Sequence, residues 1–280
     1  MRPLPDQTVL VTGATGGLGR ALAGELAREG ATVLLHGRDE SRLATKLAEI
    51  RAESGNGRLR LYRADLASLE GVRDLATGVL DTEPRLDVVV NNAGVGTTIG
   101  GDGARKESAD GYELRLAVNY LAPFLLTRLL LPLLLRSAPA RIVNVASAGQ
   151  APLDFGDLMV EQGYTGTLAY CRSKLALVAF TFDLADELRG RGVTANSLHP
   201  GTYMPTTMVL DAGVRPVDTV ESGVRATLRL AADPALDGVT GRYFNRLEDA
   251  RAEAQAYDPE ARRRLREASE RLVGERQPAR

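Results

Sequence analysis

The sequence predicts an α/β fold: one Rossmann-type, doubly wound parallel sheet of about seven strands, flanked by helices and followed by a C-terminal helical tail. From residue 7 to about 245, short aliphatic and β-branched runs alternate with longer helical patterns. A glycine-rich turn separates the first run from the first helical pattern. The strand runs are continuously apolar, which is typical of strands covered by helices on both faces. Parallel strands joined by helices require right-handed crossovers.

The strands and helices follow each other in regular order. The predicted strands cover residues 8–11, 31–36, 59–62, 88–90, 142–145, 194–198 and, more weakly, 242–244. The predicted helices cover residues 17–28, 39–53, 68–80, 110–136 and 170–189. Asp39 is placed to cap the second helix.

The chain divides into two compositional parts. Residues 1–245 form the predicted Rossmann-fold dinucleotide-binding and catalytic domain, with no linker that would separate another domain. Residues 246–280 are rich in Arg, Glu and Ala and predict a charged helical extension, packed on the domain or partly mobile. Its narrow apolar stripe, formed by Ala261, Leu265, Ala268 and Leu272, favours packing on the domain, with a dimer contact as the alternative. The last few residues are expected to be loose.

Composition limits the partners. The 280 residues carry a net charge of -1, which gives no indication of nucleic-acid binding. The single cysteine, Cys171, cannot form an internal disulfide, and the N-terminus lacks a secretory pattern, so a cytoplasmic location is expected. The two histidines are far apart in sequence, which argues against a metal site. The apolar stretch 121–135 is too short to span a bilayer and predicts a buried helix without membrane insertion.

A glycine-rich turn lies between the first strand and the first helix. Glycines allow a tight turn and a close approach to a pyrophosphate, which the positive end of the following helix stabilises. The sequence therefore predicts a dinucleotide site here, although a plain strand-to-helix turn is the alternative. The predicted binding residues are Gly13, Thr15, Gly16, Gly17, Leu18 and Gly19.

The end of the second strand indicates which dinucleotide binds. An acidic residue near this point would hold the ribose hydroxyls of NAD, but Arg38 stands here instead. Arginine can pair with a 2′-phosphate through its fork of donors, which predicts NADP(H). Surface pairing of Arg38 with Asp39 or Glu40 is the alternative.

Two further strand ends complete the predicted cofactor cleft. Asp65, followed by Leu66, comes just after the third strand and is placed to reach the adenine edge. Asn92, Ala93 and Gly94 follow the fourth strand, where small residues leave room for the adenosine side of the cofactor.

Tyr170 and Lys174 stand one helical turn apart, so their side chains share a helix face. An ammonium beside a phenol favours the ionised oxygen and would lower the tyrosine pKa from about 10, as an acid or base near neutral pH requires. This spacing alone is common on surface helices.

Together these motifs resemble the short-chain dehydrogenase/reductase family up to about residue 245. The matching residues are Thr12, Gly13, Gly17, Gly19, Asp65, Asn91, Asn92, Ala93, Gly94, Asn119, Ser147, Tyr170, Lys174, Pro200 and Gly201. The resemblance implies that Tyr170 exchanges a proton with the substrate oxygen and that Ser147 hydrogen-bonds the same oxygen. It also implies that Lys174 lowers the tyrosine pKa and binds the nicotinamide ribose, and that Asn119 holds a water linking Lys174 to solvent.

The loop after the sixth strand belongs to the same implied site. Pro200, Gly201 and Thr202 are expected to bind the cofactor. Whether Thr202 or Thr206 contacts the nicotinamide amide or a phosphate stays open. Cys171 is expected to be structural and to point elsewhere on the helix, and His199 to orient this loop.

Two features depart from the common family pattern. Ser147 and Tyr170 stand 23 residues apart, and the added segment 152–158 resembles the subgroup of retinol dehydrogenases, WW-domain oxidoreductases and protochlorophyllide reductases. This subgroup implies an apolar substrate. Gly16 is not basic, so Arg38 lacks a second positive residue inside the glycine turn.

The resemblance implies an NADP(H)-dependent oxidoreductase that transfers hydride between nicotinamide and a carbonyl or secondary alcohol of a small substrate. The alternatives are a C=C reductase or epimerase using the same site, and a non-catalytic NADP(H)-sensing protein. The loops 95–108, 149–168 and 203–217 are expected to border the substrate, the first being mobile and the third forming an apolar lid or a disordered loop. By analogy with the family, the helices at 110–136 and 168–190 would form a homo-oligomer, a dimer or tetramer.

Overall fold

A single eight-stranded sheet forms the centre of the computed structural model, which describes residues 1–98 and 104–274. The strand order is β3-β2-β1-β4-β5-β6-β7-β8; all neighbours are parallel except β7 and β8, which are antiparallel. The strands are β1 (Thr8–Val11), β2 (Thr32–Gly37), β3 (Leu59–Arg63), β4 (Val88–Asn91), β5 (Ala140–Val145), β6 (Val193–His199), β7 (Tyr243–Asn245) and β8 (Glu248–Ala250).

Helices cover both faces of this sheet, which confirms the predicted doubly wound architecture. The helices are α1 (Gly17–Arg28), α2 (Glu40–Ser54), α3 (Leu69–Thr82), α4 (Leu114–Leu116), α5 (Ala122–Arg136), α6 (Gly166–Glu187), α7 (Thr207–Asp211), α8 (Val220–Ala232) and α9 (Pro259–Gly274). A π-helical turn, Ala117–Leu121, joins α4 to α5. Asp39 caps α2 as predicted, since its side chain accepts a hydrogen bond from the Arg42 amide.

The strands divide the core into two layers because successive side chains of a strand point to opposite faces. In β1, Leu10 packs with α3, α5 and α6, whereas Val9 and Val11 pack with α1, α2 and α8. Every residue of β1, β4 and β5 is buried. Burial on both faces therefore fixes the positions of the central strands, and with them the positions of the residues at their carboxyl ends.

Helices α7 and α8 and strand β8 were not predicted as helices or strands from the sequence. Helix α8 has a cap at Thr219 and buries Val224, Thr227 and Leu230 at helical spacing, so the signal was present in the sequence. Strand β8 has only half-buried and exposed residues, and its pairing with β7 provides the stabilisation that its own sequence does not. The centre of the 95–108 loop and the last tail residues, 99–103 and 275–280, lie outside the described residues.

The C-terminal helix α9 packs against α6. Ala261, Leu265 and Ala268 are buried as the apolar stripe predicts, and Arg266 forms an ion pair with Asp183 of α6 at 2.7 Å. This helix also reaches the π-helical turn, where the hydroxyls of Tyr120 and Ser269 lie 2.6 Å apart.

One stretch, Leu114–Arg136, is long and apolar enough to cross a membrane by length and composition alone. Within the fold, 78% of its most apolar window is buried. This burial is typical of a core helix, as predicted for residues 121–135.

Candidate active site

The predicted site residues meet at the carboxyl ends of the parallel strands. The sheet order reverses between β1 and β4, and ligands of open α/β sheets bind in the crevice at such a point. The glycine-rich turn follows β1, Arg38 follows β2, Asp65 and Leu66 follow β3, Asn92–Gly94 follow β4, Ser147 follows β5 and Pro200–Thr202 follow β6.

The glycine-rich turn leaves space that side chains would fill. Gly13 has φ +69°, and a Cβ there would lie 2.9 Å from Cα of Ala93. A Cβ on Gly19 would lie 2.3 Å from the carbonyl oxygen of Gly13. No side chain caps α1, whose N-cap is Gly16, so the positive end of a twelve-residue helix opens on the crevice. Such a loop and helix end fit a pyrophosphate.

Side-chain bonds join this turn to the end of β4. The Thr12 hydroxyl accepts hydrogen bonds from the amides of Asn92 and Ala93, each at 3.0 Å. In return, Nδ2 of Asn92 donates to the carbonyl oxygen of Thr12 at 2.8 Å. Asn92 and Ala93 therefore contribute to the cofactor crevice by holding the backbone after β4 against the glycine-rich turn.

His36, which carried no predicted role, links the turn to the end of β3. Its Nδ1 accepts from the Gly13 amide at 3.2 Å, and its Nε2 lies 3.2 Å from the carbonyl oxygen of Ala64. Burial lowers the pKa of His36 to about 4, so the imidazole is neutral and donates from Nε2. Asp65 is the nearby charge that opposes this shift.

Two arginines lie at the opening beside β2. Arg38 is exposed, and within 1–98 and 104–274 its guanidinium makes no ion pair, so the alternative pairing with Asp39 or Glu40 is not observed. Arg42, on the first turns of α2, reaches back to the glycine turn: a Cβ on Gly16 would lie 3.1 Å from its Nη2. The second positive group that the turn itself lacks is thus supplied from α2.

Asp65 and Leu66 lie where predicted, after β3. Asp65 is exposed, and its Oδ1 accepts from the Ala67 amide at 2.9 Å, which fixes the carboxylate at the rim of the crevice. Leu66 is 7% exposed and packs into the core below.

Ser147 and Tyr170 meet above the end of β5. A hydrogen bond between their side chains favours the phenolate, but burial outweighs it and raises the pKa of Tyr170. The Ser147 hydroxyl also accepts from the Gly149 amide at 3.0 Å. From β7, the hydroxyl of Tyr243 donates to the carbonyl oxygen of Ser147 at 3.0 Å.

Lys174 is buried below Tyr170. Its Nζ donates to the carbonyl oxygen of Val145 at 2.9 Å and lies 5.7 Å from the centroid of the Tyr170 ring. Burial lowers the pKa of Lys174 to about 8. That Lys174 lowers the pKa of Tyr170 stays a prediction: burial of the phenol raises this pKa in the protein, and the ammonium 5.7 Å from the ring centroid would act against that rise.

Asn119 lies in the π-helical turn, a rare element that is frequent at functional sites. Its Nδ2 donates to the carbonyl oxygen of Val95 and to the Ser173 hydroxyl, and its Oδ1 accepts from the Val95 amide at 2.8 Å. A Cβ on Gly94 would lie 3.1 Å from this Oδ1 and 3.6 Å from Nζ of Lys174. A water could therefore contact Asn119 only through Oδ1, which faces the same point as the lysine.

The loop after β6 is fixed at Thr202. Its amide donates to Oδ2 of Asp218 at 2.6 Å, and its hydroxyl lies 3.0 Å from Nε2 of His199. Arg246 holds the same carboxylate at 2.7 Å. Burial lowers the pKa of His199 to about 4, so this contact involves a neutral ring. His199 thus orients the loop as predicted, whereas Pro200 and Gly201 are buried beside it.

The segment 203–217 lies across the crevice. A Cβ on Gly17 would lie 2.8 Å from Cγ2 of Thr206, and one on Gly96 would lie 2.6 Å from Cγ of Met208. The two ends of the segment are joined, since the Val217 amide donates to the carbonyl oxygen of Tyr203 at 3.1 Å. Several large apolar side chains of the segment are exposed, namely Tyr203, Met208, Leu210 and Val217.

Cys171 is closer to the site than expected. A Cβ on Gly149 would lie 3.3 Å from its Sγ and 3.5 Å from the Ser147 hydroxyl oxygen. The expectation that it points elsewhere is wrong because the chain after Ser147 folds back over α6. Burial raises the pKa of the Cys171 thiol, which keeps it protonated.

The chain matches the family described as short chain dehydrogenase over residues 7–213, and it belongs to that family. Retinol dehydrogenase 14 of Homo sapiens is 39% identical over 295 residues, covering 96% of this chain and 86% of the relative. Retinol dehydrogenases 11 and 13 are similarly related, which places the chain in a retinol-dehydrogenase-like subgroup, as the 152–158 segment predicted.

Solved structures agree with this assignment. A crystal structure from Mycobacterium paratuberculosis has a TM-score of 0.76 and 30% identity, covering 98% of this chain and 96% of that one. A short chain dehydrogenase from Shigella flexneri 2a str. 301, complexed with NADP, has a TM-score of 0.69 and 30% identity, covering 87% of this chain and 98% of that one. The chain is therefore an oxidoreductase of a family that uses a nicotinamide cofactor.

Proposed function

We propose that the protein is an NADP(H)-dependent oxidoreductase that interconverts a carbonyl and a secondary alcohol on a small, apolar substrate. The observation that carries the proposal is the contact of the Tyr170 and Ser147 side chains above the buried Lys174. Two hydroxyls directed at one point can both hydrogen-bond a substrate oxygen, and one of them can exchange a proton with it.

The protonation states favour reduction as the working direction. Burial raises the pKa of Tyr170, so the phenol holds its proton at neutral pH and can give it to the substrate oxygen. Ser147 orients that oxygen, and the positive charge of Lys174 stabilises the phenolate left after proton transfer. Asn119, through Oδ1, supports a water beside Nζ of Lys174 that returns the proton.

The cofactor would supply or accept the hydride. The residues that fit it are the uncapped start of α1 and the glycine turn for the pyrophosphate, and, for adenine, the rim at Asp65 with Leu66 packed below it. Arg38 and Arg42 suit a 2′-phosphate, because both guanidinium groups lie beside β2 and neither forms an ion pair within the described residues. Thr206, beside Gly17, suits a phosphate, whereas Thr202, held by Asp218, suits the nicotinamide side.

An apolar substrate is supported by the segment 203–217, whose exposed apolar side chains border the site, and by relatives that are retinol dehydrogenases. A segment that covers the crevice can exclude water during hydride transfer. We therefore treat residues 203–217 as a lid.

A panel of ketones and aldehydes of increasing size, assayed by NADPH oxidation, tests this function. We expect turnover with apolar carbonyls and a loss of about 10²-fold or more in Tyr170→Phe, with NADPH binding retained. Tyr62→Phe, at the distant edge of the sheet, is the matched control and should retain full activity. An active Tyr170→Phe enzyme would contradict the assignment.

The same assay separates the other functions. A C=C reductase would consume NADPH but leave the carbonyl intact, and an epimerase would convert its substrate without net NADPH consumption. A sensing protein would bind NADPH and keep its partner response in Tyr170→Phe. We also propose a cytoplasmic location and a homo-oligomer, which fractionation and light scattering would test. Helix α9 covers part of α6, so a dimer through α6 would include α9.

A further inference from the structure

Three consecutive carbonyl oxygens beside the site are each held by a side chain from one short segment. Nδ2 of Asn119 donates to Val95 at 3.1 Å, Nε of Arg115 donates to Gly96 at 3.0 Å, and Nη2 of Arg115 donates to Thr97 at 2.7 Å. Residues 95–97 directly follow Asn92–Gly94, the cofactor-crevice residues at the end of β4. Their path is therefore set by side chains rather than by sheet pairing.

Arg115 is completely buried, which requires compensation of its charge. Glu113, also completely buried, lies 3.3 Å from its Nη1. The second oxygen of Glu113 accepts from the Leu116 amide at 2.7 Å and so caps α4. This ion pair is held by its own helix and cannot shift without unfolding that turn.

Tyr164 connects the ion pair to the segment 149–168, the second segment expected to border the substrate. Its hydroxyl donates to Oε1 of Glu113 at 3.0 Å and accepts from Nη1 of Arg115. Burial and the charge of Glu113 raise the pKa of Tyr164 to about 12, so the hydroxyl remains a donor. Tyr164 belongs to the segment between Ser147 and Tyr170, which is therefore fastened to residues 95–97.

The segment 203–217, the third segment expected to border the substrate, is connected to Arg115 through side-chain packing on Gly96. Met208 of the lid lies against Gly96, whose carbonyl oxygen Arg115 holds. The three segments expected to border the substrate thus converge on one buried ion pair.

We propose that Glu113, Arg115 and Tyr164 form a positioning network that sets the width of the substrate pocket and thereby selects substrates by the size of the part remote from the carbonyl. The inference rests on the proposed carbonyl reduction, but none of the three residues touches the reacting atoms. The planar fork of arginine is needed because it bonds two adjacent carbonyls and a carboxylate at once, which the point charge of lysine cannot do.

The test compares Tyr164→Phe and Arg115→Lys with the wild type on a small and a bulky ketone of equal electronic character. In Tyr164→Phe the ratio of the two kcat/KM values should change about 3- to 10-fold, since the hydroxyl bonded to Glu113 and Arg115 is lost, while Kd for NADPH stays within about twofold. Tyr62→Phe is the matched control, because it also removes a hydroxyl bonded to a glutamate, here Glu83 at the end of α3, which is outside the network. Equal ratios in Tyr164→Phe and wild type would overturn the proposal.

Amide hydrogen exchange gives a readout that needs no turnover. Tyr164→Phe should accelerate exchange in peptides covering both 92–98 and 158–168, because the hydroxyl that bonds Arg115, which in turn bonds Gly96 and Thr97, is gone. If no ketone is reduced, the proposed function fails, while faster exchange in both peptides would still support the network. Unchanged exchange in either peptide would overturn it, and Tyr164→Phe is conservative enough to fold if Arg115→Lys does not.

Discussion

Nζ of Lys174 donates a hydrogen bond to the carbonyl oxygen of Val145 at 2.9 Å. This bond anchors the lysine of α6 to the last residue of β5, two residues before Ser147. The lysine is therefore positioned by the sheet, and within residues 1–98 and 104–274 the Val145 carbonyl is the hydrogen-bond acceptor of its buried charge. Burial lowers the pKa of this ammonium, and from this shift we expect an alkaline limit to activity.

Reduction should slow as pH rises through about 8, the pKa to which burial lowers Lys174. The neutral amine no longer stabilises the phenolate that forms when Tyr170 gives up its proton. Both histidines have pKa values of about 4, so they add no ionisation between about pH 5 and 7. A kcat–pH profile of NADPH oxidation checks this; a rate that keeps rising beyond about pH 9 would contradict the role of Lys174.

Lys174 should also make the free energy of unfolding depend on pH. Its pKa is lower in the folded state than its ordinary 10.5, so the unfolded chain binds more protons between about 8 and 10.5. The contribution of Lys174 to the free energy of unfolding therefore increases with pH in that window and is lost as pH falls through it. Lys174→Met should remove this dependence in denaturant titrations at several pH values.

Arg38→Ala and Arg42→Ala should each reduce kcat/KM for NADPH by about 10- to 100-fold and leave NADH almost unchanged, because a charge-assisted contact to a 2′-phosphate is lost. Arg51→Ala, at the exposed far end of α2, is the matched control. Cofactor kinetics with both nucleotides measure the effect. A wild-type enzyme that uses NADH as well as NADPH would defeat the prediction.

His36→Ala should weaken NADPH and NADH alike, by about 5- to 20-fold in Kd, since the Gly13 amide and the Ala64 carbonyl lose their shared partner. Reduced nicotinamide mononucleotide lacks the adenosine end and should react with unchanged kinetics. This pattern differs from that of Arg38, which affects NADPH alone. Equal loss with the mononucleotide would indicate general destabilisation instead.

Tyr243→Phe should lower kcat about 3- to 10-fold without changing the Kd of NADPH, because the hydroxyl that holds the Ser147 carbonyl is removed. Tyr257→Phe, in the C-terminal segment, removes a hydroxyl bonded to the Ala252 amide and serves as control. Single-turnover kinetics separate the chemical step from binding. A change in NADPH affinity with an unchanged kcat would show that Tyr243 acts on the cofactor site.

The sequence by itself determined the parallel sheet, the order of its elements and the one-turn spacing of Tyr170 and Lys174, because apolar runs, a glycine turn and helical periodicity are local patterns. Ser147 was predicted only from the resemblance to the family. Tertiary structure alone decided the supports of the site. His36, Arg42, Arg115 and Tyr243 act through partners distant in sequence, and only the packing of strands and helices brings those partners within hydrogen-bond or contact distance. It also decided the pKa values of Tyr170 and Lys174, since helical spacing places an ammonium near a phenol but the depth of burial sets the protonation of both.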